Sequence, residues 1–395
     1  MAKKFSVGID IGTYQIKVVV ASDPTEVGQK SPEILGVGFS ESKGLRHGYI
    51  INSSDVKRSL KLAVSQAERS AKIKIRGAYL SIGGIGVSSI ISKGSIMTSK
   101  ADMEITDMDV KNVMEVAESE IPQALILNKK ILHSIPVAYK IDGQAIIGRP
   151  NGMHGNKLEV KVLFVVCIEQ HLNDLIRAVE NTGIDVLDIM ASPIAGSLVT
   201  LNKNQKTAGC VLANIGSETV SIVVFENNIP ISLEVFPIGG TDITNDIALG
   251  LRITLDEAEQ IKLAPVEPNF SKKKLDEIIS ARLSDIFELI EAHLKKIGRN
   301  GLLPAGIILT GGSAGLGSIE DMAKTALKLP SRIASISFMS NAKNTQIKYS
   351  SWSVAFGLAT WGLSNNDDVP EGVRIAGNKN GLWEKIKRFF QQFLP

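Results

Sequence analysis

The first residues in the chain with types and spacing suited to chemistry are Asp10, Gly12, Thr13 and Tyr14. They lie in the run Val7-Gly8-Ile9-Asp10-Ile11-Gly12-Thr13-Tyr14-Gln15-Ile16-Lys17-Val18-Val19-Val20. An apolar strand is interrupted by Asp10-Ile11-Gly12-Thr13 and resumes as a second β-branched strand carrying Lys17. The run predicts a hairpin with a polar tip, the glycine supplying the tight turn. A tip of backbone N–H groups and a Thr hydroxyl beside one carboxylate suits the terminal phosphates of a nucleotide and, through water held by Asp10, its Mg²⁺. Asp-x-Gly is also an ordinary hairpin turn, and this run by itself leaves both readings open.

The pattern returns about 200 residues later in Val211-Leu212-Ala213-Asn214-Ile215-Gly216-Ser217-Glu218-Thr219-Val220-Ser221-Ile222, which suggests two similar halves. A third run, Gly306-Ile307-Ile308-Leu309-Thr310-Gly311-Gly312-Ser313, takes an apolar strand into a glycine pair, where backbone can approach a planar ring or ribose closely. Two such hairpins with a strand-Gly-Gly element between them resemble the nucleotide cleft of the actin, Hsp70 and sugar-kinase superfamily. The expected fold class is α/β, an actin-like, ribonuclease H-like duplicated two-lobed fold with an inserted β-α-β subdomain.

The elements that must position these residues fit the composition. A chain of 395 residues with 44% hydrophobic and 22% charged residues suits two lobes rather than one core. A net charge of +3 is too small to argue for a nucleic-acid partner. Cys167 and Cys210 each lie in or beside an apolar strand and are expected to be buried thiols rather than a bridge. The five histidines show no metal-ligand spacing. No signal-type apolar core follows Met1 and no run has the length of a membrane span, so the body is expected in the cytosol.

Along the chain, the first half is read as strands, a helix capped near Asn52, and another strand over Arg76–Ile82. Ser88–Met97 reads as a Ser-rich strand pair, followed by a helix capped at Thr106 or Asp107. Strands over Ile131–Pro136 and Leu158–Val166 complete the insertion, separated by the Gly/Asn/Pro-rich loop Gly148–Asn156. In the second half, Gly239-Gly240-Thr241 forms a loop before a helix starting near Asp242. A helix over Thr254–Lys262 and a long amphipathic helix over Leu275–Ile297 follow. Asp368–Asn380 is polar and aperiodic, a linker. In the last fifteen residues Leu382, Trp383, Ile386, Phe389, Phe390, Phe393 and Leu394 share one helical face, while Lys385, Lys387 and Arg388 occupy the rest. Bulky aromatics opposite cations suit an interfacial membrane helix on anionic lipid; a core-packing or partner-docking helix is the alternative.

With these pieces placed, the chain resembles the FtsA family of actin-like bacterial cell-division proteins over nearly its whole length. The inserted segment is the most diagnostic part: Lys130-Ile131-Leu132-His133-Ser134-Ile135-Pro136, Ile141-Asp142-Gly143-Gln144, Pro150-Asn151-Gly152-Met153-His154-Gly155 and Leu158-Glu159-Val160. The resemblance implies subdomain 1A at 1–83 and 167–204, inserted subdomain 1C at 84–166, subdomain 2A at 205–241 and 302–350, and 2B at 242–301. It further implies a return helix at 351–363, a linker at 364–380 and a membrane-targeting helix at 381–395. It implies an ATP-binding filament former on the inner face of the cell membrane at the division site, tethering the carboxyl-terminal tail of FtsZ and recruiting other divisome proteins.

Carried onto this sequence, the resemblance sets Gly12, Thr13 and Tyr14, with Asp10 and Lys17, against the phosphates from one side, and Gly216, Ser217 and Thr219 from the other. Gly239, Gly240 and Thr241 lie in the next loop. Glu259 and Lys262 contact ribose and base, or else form a solvated helix face, and Gly311, Gly312 and Ser313 close on the adenosine. Arg282, Lys295 and Lys296 offer basic groups to an acidic tail peptide, or simply a solvated face. The chain departs from the family pattern where Gln15 replaces a basic residue, Asn214 an Asp, Ser217 and Glu218 two glycines of a Gly-Gly-Gly-Thr run, and Ser192 a Gln or Glu that would orient water. Asn cannot supply charge to a Mg²⁺ shell, and Glu218 would repel phosphate if it pointed inward. Nucleotide binding with weak or absent ATPase is the resulting expectation. A PilM-like pilus-assembly adaptor and a superfamily small-molecule kinase are the rival readings.

Overall fold

The computed structural model describes residues 5–24, 32–263, 271–336 and 350–365. The first lobe opens with β1 (Phe5–Ile11), β2 (Gln15–Ser22) and β3 (Glu33–Glu41), then the short hairpin β4 (Leu45–Arg46) and β5 (Tyr49–Ile50), α1 (Ser53–Ala71) and β6 (Gly77–Ile82). Asn52 starts α1 by accepting the Ser54 and Asp55 N–H groups. The helix buries Val56, Leu60, Ala63, Val64 and Ala67. It lies so close on β3 that a Cβ at Gly38 would sit 2.0 Å from the Ala63 carbonyl oxygen.

The insertion comprises β7 (Ser88–Met97), α2 (Asp107–Ser119), α3 (Gln123–Ile126), β8 (Lys129–Ile141), β9 (Gln144–Ile146) and β10 (Lys157–Ile168), with sheet order β7-β10-β8-β9. Its own core includes Ile105, Val113, Leu158, Val162 and Phe164. Ser88–Met97 is one ten-residue strand and not a strand pair, because every residue from Ser88 to Met97 pairs continuously with β10. β8 runs five residues past Pro136. The register against β10 slips at that point, from Ala138 opposite Lys161 to Pro136 opposite Val162, and a bulge can hold the residue that lacks an N–H.

The chain returns to the first lobe through α4 (Glu169–Glu180), β11 (Asp185–Ala191), α5 (Ser192–Thr200) and α6 (Lys203–Ala208). The second lobe holds β12 (Cys210–Ile215), β13 (Val220–Glu226), β14 (Ile229–Phe236), α7 (Gly240–Leu251), α8 (Leu255–Leu263), α9 (Lys272–Lys296), β15 (Ile307–Thr310), α10 (Ile319–Leu327) and β16 (Ser331–Ile333). The last described helix is α11 (Ser353–Asn365).

Two five-stranded sheets share one plan. The order β3-β2-β1-β6-β11 in the first lobe matches β14-β13-β12-β15-β16 in the second, antiparallel on one side of the central strand and parallel on the other. This is the duplicated, two-lobed actin-like architecture. α11 crosses back onto β1, where a Cβ at Gly8 would lie 2.1 Å from the Ala355 carbonyl oxygen. The helix extends through 365, so residues 364 and 365 belong to it rather than to the linker. The remainder of the predicted linker and the whole amphipathic segment, 381–395, lie outside the described residues. Cys167 and Cys210 are free and buried, as their apolar surroundings predict.

Candidate functional site

The two hairpins have the same geometry residue for residue. In the first, Ile11 pairs with Ile16 and Asp10 with Lys17, and the Gly12 N–H donates to the Gln15 carbonyl at 3.2 Å. In the second, Ile215 pairs with Val220 and Asn214 with Ser221, and the Gly216 N–H donates to the Thr219 carbonyl at 2.9 Å. Thr13 is thus the counterpart of Ser217, and Tyr14 of Glu218.

Both turns line one cavity of about 510 Å³. It gathers Asp10, Gly12, Thr13, Tyr14, Lys17, Gly216, Ser217, Thr219, Gly240, Thr241, Glu259, Lys262, Gly311, Gly312 and Ser313, leaving only Gly239 of the predicted cleft residues off its wall. Gly239 instead donates its N–H to the Asp242 carboxylate at 2.8 Å. Sequence reasoning missed Gly48, Gly83, Gly84, Asn245, Leu255, Asp256, Leu263 and Leu316, which also line it. A signal existed for α8: Leu255, Glu259, Lys262 and Leu263 stand at helical spacing and share the face toward the cavity.

At the first hairpin, the Ser81 hydroxyl donates to Asp10 at 2.8 Å. Burial pushes the Asp10 carboxyl above its ordinary pKa, against the pull of nearby Lys17 and of Ser81. Burial lowers Lys17, opposed by Asp10. The Lys17 ammonium donates to the Ser351 carbonyl at 2.9 Å and lies 5.9 Å from the Trp352 ring centre. Asp10 and Lys17 therefore sit as an opposed pair at the base of the cavity.

Gly240 and Thr241 are not loop residues; they are the first turn of α7. Their N–H groups donate to the Gly216 carbonyl at 2.9 Å and the Ser217 carbonyl at 2.7 Å. The helix start thus braces the second hairpin. Lys262 donates to the Gly240 carbonyl at 3.0 Å and the Thr244 hydroxyl oxygen at 2.8 Å, and pairs with Glu259 at 2.7 Å. Glu259 and Lys262 therefore form a joined pair on the cavity wall, not a freely solvated face. Gly311 is held at φ 96°, with a Cβ there falling 2.4 Å from the Ile215 carbonyl oxygen, whereas a Cβ at Gly312 would meet nothing within 4 Å. The first glycine serves the fold, and the second leaves open wall against which a flat ring can lie.

The departures resolve individually. Asn214 and Ser192 line the cavity. The Glu218 carboxylate turns out of it and accepts the His47 N–H of the first lobe.

Arg282 on α9 is committed within the protein, donating to Asp246 at 2.7 and 3.0 Å and lying 3.2 Å from Asp285. Lys295 is exposed and pairs with Glu291 at 2.9 Å, and Lys296 is exposed. Among the described residues no cluster of His, Cys, Asp or Glu could hold a metal ion by itself, and no helix is long and apolar enough to cross a membrane.

Residues 211–357 match the family model for cell division protein FtsA, and residues 84–166 match the SHS2 domain inserted in FtsA. Among relatives, the cell division protein FtsA of Pseudomonas aeruginosa is 28% identical over 98% of both chains. That of Borreliella burgdorferi is 30% identical over 84% of this chain and 85% of its own. Among solved structures, a chain of the PilM–PilN type IV pilus biogenesis complex superposes with TM-score 0.67 at 17% identity, covering 91% of this chain and 98% of that one. MreB5 of Spiroplasma citri bound to ADP gives TM-score 0.52 at 12% identity, covering 91% and 96%. Those two likenesses show the actin-like fold. At 32% identity to the FtsA of Bacillus subtilis across 84% of this chain and 79% of the relative, and with both segments matched, the chain belongs to the FtsA family of cell division proteins.

Proposed function

We propose that this chain is an ATP-binding, filament-forming adaptor that holds the FtsZ carboxyl-terminal tail at the cytoplasmic face of the cell membrane at the division site and helps recruit the divisome. The observation that carries the nucleotide part is the pair of register-matched hairpins flanking one cavity, with the bare wall at Gly312 beside them. The residues fit a nucleotide. Thr13 and Ser217 supply hydroxyls at the two turns, Lys17 a cation, the Glu259–Lys262 pair hydrogen bonds without net charge, and Leu255, Leu263 and Leu316 apolar surface for a base. Asp10 is the carboxylate that would hold the water shell of a phosphate-bound Mg²⁺, and that ion would offset phosphate charge. With Asn214 and Ser192 in place of an acid and a water-orienting residue, hydrolysis is slow or absent.

The membrane reading rests on the sequence of Leu382–Pro395 and its segregated aromatic and cationic faces. For the tail peptide, α9 offers the exposed Lys295 and Lys296, whereas Arg282 is already engaged by Asp246. The pilus-adaptor alternative has the shared fold with PilM–PilN behind it, and family membership favours the division role.

Liposome flotation of the protein with and without Leu382–Pro395, with a labelled FtsZ tail peptide and alongside a fluorescent ATP titration, tests all three parts. The expected result is ATP binding by both forms, with flotation and peptide recruitment by the intact form only. Flotation of the truncated form, or no peptide in the floated fraction, refutes the adaptor reading.

A further inference from the structure

Glu218 stands at the tip of the second hairpin yet contributes nothing to the cavity wall. Its position across the cleft from His47, 171 residues distant in sequence, gives it another task. His47 and Gly48 form the two-residue turn of the β4–β5 hairpin, with Leu45 opposite Ile50 and Arg46 opposite Tyr49. Their φ angles are 48° and 88°, both positive, as a type I′ turn requires. The hairpin's own pairs engage the flanking residues, so the N–H of the first turn residue points away and needs a partner elsewhere.

That partner comes from the other lobe. Glu218 Oε2 accepts the His47 N–H, while His47 Nδ1 lies 3.2 Å from the Glu218 carbonyl oxygen. The turn cannot shift aside easily, because Gly48 is pressed on the neighbouring loop: a Cβ at Gly48 would sit 2.5 Å from Gly84 Cα. Gly48, Gly83 and Gly84 in turn line the hairpin end of the cavity. The equivalent residue of the first hairpin, Tyr14, is 54% exposed, and among the described residues its side chain makes no hydrogen bond to the second lobe.

We propose that Glu218 and the His47–Gly48 turn form a latch that holds the two lobes together at the hairpin end of the cavity, independently of any bound ligand. A charged acceptor on a backbone N–H is stronger than a neutral one, and it needs no particular side chain at position 47.

Residue-resolved hydrogen exchange on the full chain without added nucleotide tests the latch. In Glu218→Ala the His47 amide exchanges about tenfold faster or more, because its acceptor is gone. Glu218→Gln, whose neutral amide oxygen can still accept, falls between the wild-type and Glu218→Ala rates. The amides of β1 and β12 keep wild-type protection in both variants. An unchanged His47 rate in Glu218→Ala overturns the latch, and so does faster exchange spread equally over β1 and β12, which marks general loosening. The outcome does not depend on whether the cavity holds ATP.

Discussion

Asp10 and Asn214 occupy the same position in two hairpins of identical register, one a carboxylate opposite Lys17 and the other an amide opposite Ser221. The two hairpins share one backbone geometry and differ by one charge at this position. One hairpin sets an acid opposite a base at this position, and the other an amide opposite a hydroxyl.

Placing a carboxylate at position 214 should change chemistry more than binding. Asn214→Asp is expected to raise Mg²⁺-dependent phosphate release from ATP by about tenfold, equivalent to about 1.4 kcal/mol of barrier. A coupled phosphate assay on the two purified proteins measures it. Equal rates would show that Asn214 does not limit hydrolysis.

Gly8→Ala tests how α11 is seated. The added methyl falls 2.1 Å from the Ala355 carbonyl oxygen and 2.8 Å from the Ala359 nitrogen, both backbone atoms that cannot rotate away. Overpacking of this kind costs about 1–3 kcal/mol, and here the upper end is expected. Urea unfolding should show a lower midpoint with an unchanged slope.

Acid should weaken the fold in a definite window. Burial drops His133 and His293 from the ordinary 6.5 to about 4. Between those values the unfolded chain binds protons that the folded one refuses, so stability is full above pH 6.5 and falls as pH drops toward 4. His293 Nε2 lies 2.8 Å from the Ser232 hydroxyl, and His133 Nε2 accepts the Ala191 N–H at 3.1 Å. Replacing His293 by Gln should flatten the dependence of the urea midpoint on pH across this window, relative to wild type.

The α9 cations should separate by role. Arg282→Glu sets a carboxylate beside Asp246 and Asp285 and is expected to cost about 1–3 kcal/mol of stability, since it breaks a bidentate, partly buried pair. Lys295→Glu with Lys296→Glu, both exposed, should leave the melting temperature within a degree or two and weaken an acidic tail peptide. Calorimetric melting and peptide anisotropy on the same samples read both effects.

The lobes and the cleft were readable from the sequence because their signals are local. A β-branched run, a glycine turn and a second β-branched run favour a hairpin, and the two hairpins with the strand-Gly-Gly run supply about half of the cavity wall. The insertion was read less well. The serines of Ser88–Met97 suggested a break, but a strand with one face packed on its neighbours accepts small polar residues without one. Pro136 suggested an end, which the bulge opposite Val162 makes unnecessary.

What the sequence withheld is the partner of each polar group. Nothing near Glu218 announces His47, nothing near Arg282 announces Asp246, and the neutralising of Lys262 by Glu259 depends on α8 lying with that face inward. These pairings are products of the tertiary arrangement, and each revises a role suggested by residue type alone.

The seat of α11 on β1 has a mechanical corollary. Because the last described helix packs on β1 while Thr310 of β15 donates to the Ser350 carbonyl at 2.8 Å, its first turn is anchored to both lobes and its body to the amino-terminal one. A rotation between the halves would therefore pivot near Ser350–Ser353 and sweep α9 through an arc around that point.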